Sequence, residues 1–195
     1  MQTTIYMVRH AESPFVFGQE KERGLSDEGH ADAVRVADKM DSIHVDYVAA
    51  STYERTIQTV QQVAVRRSLP IHTYDELRER PIKGLDYKAP WEELLIAIEK
   101  SFTDHDYALA GGETTREAQA RSIPVLEQII LENKGKSIVL GTHGNIMTII
   151  LNYYDASFGY EFWMQTSKPD IYKAVFENGK LIHFDRVWEP STVNT

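Results

Sequence analysis

Residues 45–67 read VDYVAASTYERTIQTVQQVAVRR, and the hydrophobic pattern changes in the middle of this stretch. Val45–Ala50 is a short, almost continuous apolar run, which is typical of a buried strand. Over Tyr53–Arg67 the apolar residues recur at helical spacing, which predicts a helix. Ser51 and Glu54 have the spacing of a capping box at the start of that helix. The stretch therefore predicts a strand that is followed directly by a helix.

The same alternation extends over the rest of the chain. Further strands are predicted at residues 5–8, 69–74 and 137–141. Further helices are predicted at residues 27–40, 91–102, 114–133 and 146–153, and Thr114 and Glu117 offer a second capping box. Asn178-Gly179 lies between two more apolar runs and is a strong signal for a two-residue hairpin turn. We therefore expect an α/β fold with a mostly parallel sheet that finishes in an antiparallel pair.

The bulk composition is that of an ordinary globular protein. The chain has 195 residues, of which 42% are hydrophobic and 26% charged, and this length suits one domain with a substantial core. No internal repeat divides it. The prediction is a single domain over residues 1–195, with residues 81–112 as an inserted cap.

Charge and cysteine content argue against several classes of protein. The net charge is −8 and no lysine- or arginine-rich run occurs, so neither nucleic acid nor a membrane is the expected partner. Cysteine is absent, which excludes disulfides, thiolate metal sites and a cysteine nucleophile. No apolar stretch approaches the ~20 residues that span a bilayer, and the first residues lack signal-peptide features. We therefore expect a cytoplasmic protein; the sequence favours no particular oligomeric state.

Polar side chains follow four of the predicted strands at the point where each strand ends. In an open α/β sheet the binding crevice lies outside the carboxyl ends of the strands, so these side chains should meet in one cleft. They are Arg9 and His10 after the first strand, Arg55 after the second, Glu79 after the third and His143 after the fourth.

The two arginines indicate an anion site. Arg9 and His10 are bulky polar groups at a buried strand end and need a partner, which an anion would supply. Arg55 lies in the first turn of its helix, where the macrodipole disfavours a cation by ~0.3–1 kcal/mol. An ion pair with Glu54 or Glu76 would explain Arg55 in isolation. Together with Arg9 and a helix N-terminus, a clamp for an oxyanion explains it better.

His143 and Glu79 admit competing interpretations. His143 is followed by Gly144, which would let a ligand approach the backbone, but a tight turn with an incidental histidine has the same pattern. Glu79 could belong to a solvated acidic loop. His10, His143 and Glu79 could also form a two-histidine, one-carboxylate metal site. Two arginines in the same cleft would repel a cation, and no ligand pair has helical spacing, so the anion interpretation is preferred.

Six short motifs resemble those of one family, in the same order. They are Val8–Ser13, Gly24–Ser26, Ser51–Thr59, Leu77–Glu79, Gly112–Thr114 and Thr142–Gly144. This pattern is similar to that of the histidine phosphatase, or phosphoglycerate mutase-like, superfamily, and it runs over nearly the whole chain. The resemblance implies a three-layer α/β/α sandwich with a mostly parallel central sheet, a C-terminal antiparallel hairpin and a small inserted cap.

The resemblance also implies a role for each candidate residue. His10 is the residue that becomes phosphorylated, Arg9, Arg55 and His143 bind the phosphoryl group, and Glu79 is the proton donor. The catalytic set is then His10, Glu79 and His143, and no metal or organic cofactor is required. The implied partner is a small phosphorylated substrate.

Departures from the family pattern bear on which reaction to expect. Ala11 replaces a glycine, Pro14–Phe17 stands where mutases have Trp-Asn, and Arg80–Gly84 is shorter than the usual segment. These differences disfavour phosphoglycerate mutase activity and leave the phosphoryl chemistry intact. The expected activity is phosphomonoester hydrolysis through phosphohistidine. A phosphomutase and a non-catalytic module that binds a phosphorylated ligand are the alternatives.

Overall fold

A six-stranded sheet forms the middle of the protein, as seen in a computed structural model that describes residues 1–190. The strands are β1 (Thr3–Arg9), β2 (Tyr47–Ser51), β3 (Ile71–Tyr74), β4 (Ser137–Thr142), β5 (Asp170–Glu177) and β6 (Lys180–Arg186). Their order across the sheet is β3-β2-β4-β1-β5-β6. The first four strands are mutually parallel, whereas β5 is antiparallel to both β1 and β6. The predicted sheet is thus confirmed.

The hairpin between β5 and β6 turns where the sequence predicts. Asn178 and Gly179 have φ angles of 51° and 74°. Two successive positive φ angles are the requirement of a type I′ turn, which asparagine followed by glycine meets at little cost. This turn places β6 next to β5 in the antiparallel direction.

Helices cover both faces of the sheet. They are α1 (Asp27–Met40), α2 (Glu54–Val65), α3 (Trp91–Thr103), α4 (Thr115–Glu132), α5 (Gly144–Tyr154) and α6 (Tyr160–Gln165). Strand side chains alternate between the faces, so Ile5 packs in one apolar core with residues of α4 and α5, and Val8 packs in the other with residues of α1 and α2. The result is the expected three-layer α/β/α arrangement.

Two details differ from the sequence prediction. The capping box at Thr114 and Glu117 forms, but that at Ser51 and Glu54 does not, and α2 begins after Tyr53 without a side-chain cap. Ser51 bonds His143 instead. The short helix α6 was not predicted, since only six residues form it and none is buried.

Residues 81–112, the predicted cap, contain α3 between two loops. The ends of this segment are held together, because the Gly84 amide donates to the Ala110 carbonyl and the Glu113 amide donates to the Pro81 carbonyl. No helix among residues 1–190 is long and apolar enough to cross a membrane. Whether residues 81–112 act as a cap stays a prediction.

Candidate functional site

His10 follows the last residue of β1 and is only 4% exposed. Its amide donates to the Thr142 carbonyl at 2.9 Å, which fixes the backbone against β4. The ring Nδ1 lies 2.7 Å from the Ala11 carbonyl. A carbonyl only accepts, so Nδ1 carries the proton and Nε2 keeps a free lone pair.

The surroundings of His10 favour its neutral form. Burial of the ring lowers the pKa of His10 well below its usual value, and the positive charges of Arg55, Arg9 and Lys168 lower it further. The Ala11 carbonyl acts in the opposite direction but is outweighed. His10 therefore presents a neutral nitrogen with the lone pair that a nucleophile needs.

Arg9 is held from two sides at the end of β1. Its Nη1 donates to the Thr166 carbonyl at 3.1 Å and to the Thr166 hydroxyl. The guanidinium also lies against Gly144, where a Cβ atom would come within 2.7 Å of Arg9 Cζ. Arg9 is 8% exposed, and its Nε has no hydrogen-bond partner among residues 1–190. Arg9 thus keeps donors for another acceptor.

Arg55 pairs with neither Glu54 nor Glu76 but with Glu20, from the loop that follows β1. Arg55 Nη2 donates to a Glu20 carboxylate oxygen at 3.2 Å, and Nη1 donates to the Glu20 carbonyl. Burial, helped by the nearby Arg23, lowers the pKa of Arg55 to about 10. The residue is 1% exposed, and its Nε finds no acceptor in the described part of the chain.

His143 is fully buried at the start of α5. Its Nε2 lies 2.8 Å from the Ser51 hydroxyl, and its ring centroid lies 5.3 Å from that of His10. Burial and the positive charge of Arg55 lower the pKa of His143 well below its usual value. Its Nδ1 has no partner within residues 1–190. If Ser51 donates to Nε2, the ring proton sits on Nδ1, and that nitrogen can donate to an anion.

Glu79 is not in a solvated acidic loop. Its carboxylate accepts three backbone N–H bonds, from Arg80 at 2.9 Å, Asn145 at 3.1 Å and Ile146 at 2.8 Å. Two of these donors belong to the first turn of α5, so the carboxylate lies at the positive end of that helix. The contact brings Glu79 next to His143, as expected for a shared cleft.

Four residues that the sequence did not single out also lie at this cleft. They are Arg23, Arg80, Asn145 and Lys168. Arg80 and Asn145 are each 3% exposed and, in the described chain, have buried polar side-chain atoms without partners. Arg80 and Asn145 stand one and two residues from predicted site residues, so adjacency was a usable signal. The other two residues had no such signal, because Arg23 lies in a loop without a periodic pattern and Lys168 is far along the chain from the predicted site residues.

The convergent groups can bind a tetrahedral anion. Arg9 Nε, Arg55 Nε and His143 Nδ1 are buried nitrogens without protein partners in residues 1–190, and all three belong to residues that border His10. Buried N–H groups are costly unless they meet an acceptor, so an oxyanion at this position would satisfy them. Within the same residues no group of three or more histidine, cysteine, aspartate or glutamate side chains could hold a metal ion.

Comparison with known sequences identifies the family of the chain and a relative. The profile of the Histidine phosphatase superfamily (branch 1) matches residues 5–181. Phosphoglycerate mutase-like protein 4 from Arabidopsis thaliana is 30% identical over 156 residues, which cover 73% of this chain and 67% of that protein.

Solved structures share the fold. A mycobacterial glucosyl-3-phosphoglycerate phosphatase superposes with a TM-score of 0.72 at 18% identity, over 95% of this chain and 97% of the other. A phosphoserine phosphatase from Entamoeba histolytica, solved with phosphoserine bound, gives a TM-score of 0.75 at 20% identity, over 93% and 96%. With the profile match over most of its length, the chain belongs to the histidine phosphatase superfamily.

Proposed function

We propose that the protein is a phosphomonoester hydrolase that acts on a small phosphorylated metabolite through a phosphohistidine at His10. The observation that carries this proposal is the set of three unpaired buried nitrogens, Arg9 Nε, Arg55 Nε and His143 Nδ1, in the described chain. They belong to residues that border the neutral imidazole of His10, whose Nε2 keeps its lone pair. We also propose a cytoplasmic setting, which rests on the sequence alone.

In the proposed first step, His10 Nε2 attacks phosphorus as the ester P–O bond breaks. Arg9, Arg55 and His143 donate to the three equatorial oxygens, on which charge is spread in the transition state. Glu79, in its protonated form, gives its proton to the departing alcohol oxygen. The products of this step are the free alcohol and phosphohistidine.

In the second step, water takes the place of the alcohol. Glu79, now a carboxylate, removes a proton from the water as the oxygen attacks phosphorus. The P–N bond breaks, His10 recovers its lone pair, and inorganic phosphate leaves. No step of this route requires a metal ion.

The nucleophile is tested with His10→Ala. We expect the folded variant to lose turnover of p-nitrophenyl phosphate and to carry no acid-labile, base-stable phosphoryl group after acid quench, whereas the wild type carries one. His30→Ala is the matched control, because His30 is exposed on α1 and away from the cleft. Substantial residual activity in folded His10→Ala protein would overturn the assignment.

A phosphomutase is the second candidate, because one relative that aligns over 73% of this chain is named a phosphoglycerate mutase-like protein. In that reaction the phosphoryl group passes from His10 to a second hydroxyl instead of to water. Release of inorganic phosphate, measured against formation of an isomeric phosphate ester, separates the two reactions. Isomer formation without phosphate release would favour the mutase.

A further inference from the structure

The loop between α6 and β5 passes the candidate site. Asp170 pairs with Arg9 in the antiparallel register of β5 and β1. Because the two strands run in opposite directions, the residues that precede Asp170 continue beyond the carboxyl end of β1, where His10 follows Arg9. Lys168, two residues before Asp170, is thus carried alongside the nucleophile.

Both ends of this loop are fixed. On one side, Thr166 accepts hydrogen bonds from Arg9 Nη1. On the other, the fully buried Asp170 carboxylate accepts bonds from the Ser167 amide at 2.8 Å and from Arg186 Nη2 at 2.7 Å. These contacts fix the backbone on both sides of Lys168.

The Lys168 ammonium group has no partner of its own. Among residues 1–190 it makes neither a hydrogen bond nor an ion pair, and the residue is exposed, so a ligand can reach it. The surrounding protein desolvates the ammonium group, and this effect, together with the charges of Arg9 and Arg23, lowers the pKa of Lys168. By contrast, Lys83, in the predicted cap, already donates to two backbone carbonyls.

We propose that Lys168 binds a second anionic group, carried by the alcohol part of the substrate. In the proposed mechanism the transferring phosphoryl group meets donors on Arg9, Arg55 and His143, whose side chains have unpartnered nitrogens in the described chain, and Lys168 is then an additional cation at the same cleft. The substrate class is then a phosphomonoester with a carboxylate or a second phosphate on its leaving alcohol. This inference rests on the proposed phosphohydrolase function.

The test compares two esters that differ in one group. 3-Phosphoglycerate has a carboxylate where glycerol 3-phosphate has a hydroxymethyl group. A hydrogen bond to a charged group has a typical free energy that corresponds to about 10-fold to 100-fold in affinity. Lys168→Met should therefore lower kcat/KM for 3-phosphoglycerate by about that factor. The kcat/KM for glycerol 3-phosphate should stay nearly unchanged. Lys168→Arg should restore most of the kcat/KM that Lys168→Met loses with 3-phosphoglycerate. Lys180→Met, on the exposed hairpin, is the control.

Other results would overturn the proposal. An equal loss with both esters, or a matching rise in the inhibition constant of inorganic phosphate, would mean that Lys168 binds the transferring phosphoryl group. No effect on either ester would remove Lys168 from substrate recognition.

If the wild type turns over neither ester nor p-nitrophenyl phosphate and forms no phosphoenzyme, the hydrolase function itself fails. Lys168 is then tested by calorimetric binding of the two esters to wild type and to Lys168→Met. Tighter binding of 3-phosphoglycerate that is lost in the variant supports the second-anion role; equal binding of both esters, or no binding, overturns it.

Discussion

At the scale of single residues, the proposed role of Glu79 as proton donor depends on how its side chain is held. Its carboxylate is held by three backbone N–H groups, from Arg80, Asn145 and Ile146. In the proposed mechanism, Glu79 delivers a proton to the departing alcohol oxygen from this fixed position.

Glu79→Gln tests this role, because glutamine keeps the size of the side chain but cannot give up a proton. Phosphoenzyme formation from an alkyl phosphate should slow by roughly 10²–10⁴-fold. An aryl ester leaves readily as an anion, so the same step with p-nitrophenyl phosphate should slow far less. Rapid quench measures this step separately from water attack.

The neighbouring Glu76 provides the control, since it is exposed and Glu76→Gln should change neither rate. An equal loss with both substrates in Glu79→Gln would show that Glu79 only holds the start of α5 in place. No loss with either would make Glu76 or a residue of the predicted cap the candidate acid.

At the scale of elements, the junction between β4 and α5 must accommodate Arg9. Gly144 is the first residue of α5, and a Cβ there would lie 2.7 Å from both Cζ and Nε of Arg9. Alanine suits the first turn of a helix, so Gly144→Ala should cost the helix nothing. The guanidinium, however, would have to move.

We therefore expect Gly144→Ala to keep a Tm close to that of the wild type and to lower kcat/KM by about 10-fold to 100-fold, the scale of a misplaced catalytic group. Inhibition by vanadate should weaken in parallel. Gly159→Ala is the matched control, because the nearest atom to a Cβ there is 3.8 Å away. An unchanged kcat/KM in Gly144→Ala would show that Arg9 need not occupy its present position.

The elements also explain which parts of the site the sequence could predict. Arg9, His10, Arg55 and His143 lie at or just after the ends of parallel strands. The carboxyl ends of such strands share one edge of the sheet, so the strand pattern placed these residues together. The prediction of a capping box at Ser51 was wrong, because the hydroxyl of Ser51 contacts His143 instead of capping α2.

The contribution of the remaining loops could not be predicted in the same way. Glu20 reaches Arg55 from 35 positions away, and its loop has no periodic pattern. Lys168 depends on the register between β5 and β1. Both contacts follow from the assembled fold and not from local spacing.

At the scale of the whole molecule, the two buried histidines link stability to pH. The pKa values of His10 and His143 are lowered in the folded protein, whereas unfolded histidines titrate near 6.5. Their full contribution to stability is therefore present above about pH 6.5. As the pH falls below that value, the unfolded state binds protons first and the contribution is lost.

Urea unfolding at several pH values between 7 and 5 measures this loss. Each such histidine adds about 1.4 kcal/mol per pH unit to the slope of unfolding free energy against pH below 6.5. His10→Asn, whose amide can still donate to the Ala11 carbonyl, should reduce the slope by about that amount. His30→Asn, at an exposed position, is the control. The same slope in wild type and His10→Asn would contradict the linkage.

The central position of β1 has a consequence for how the chain is made. Of the six strands, β1 is synthesised first, yet it lies between β4, which begins at Ser137, and β5, which begins at Asp170. Arg9 acquires its contact with Thr166, and Asp170 its contact with Arg186, only after those later residues have been synthesised. In a nascent chain that stops before β5, β1 therefore lacks one of its two neighbouring strands. The apolar side chains of β1 are then accessible to chaperones. The candidate site is therefore completed only once β5 and β6 have been synthesised, and not progressively as the chain grows.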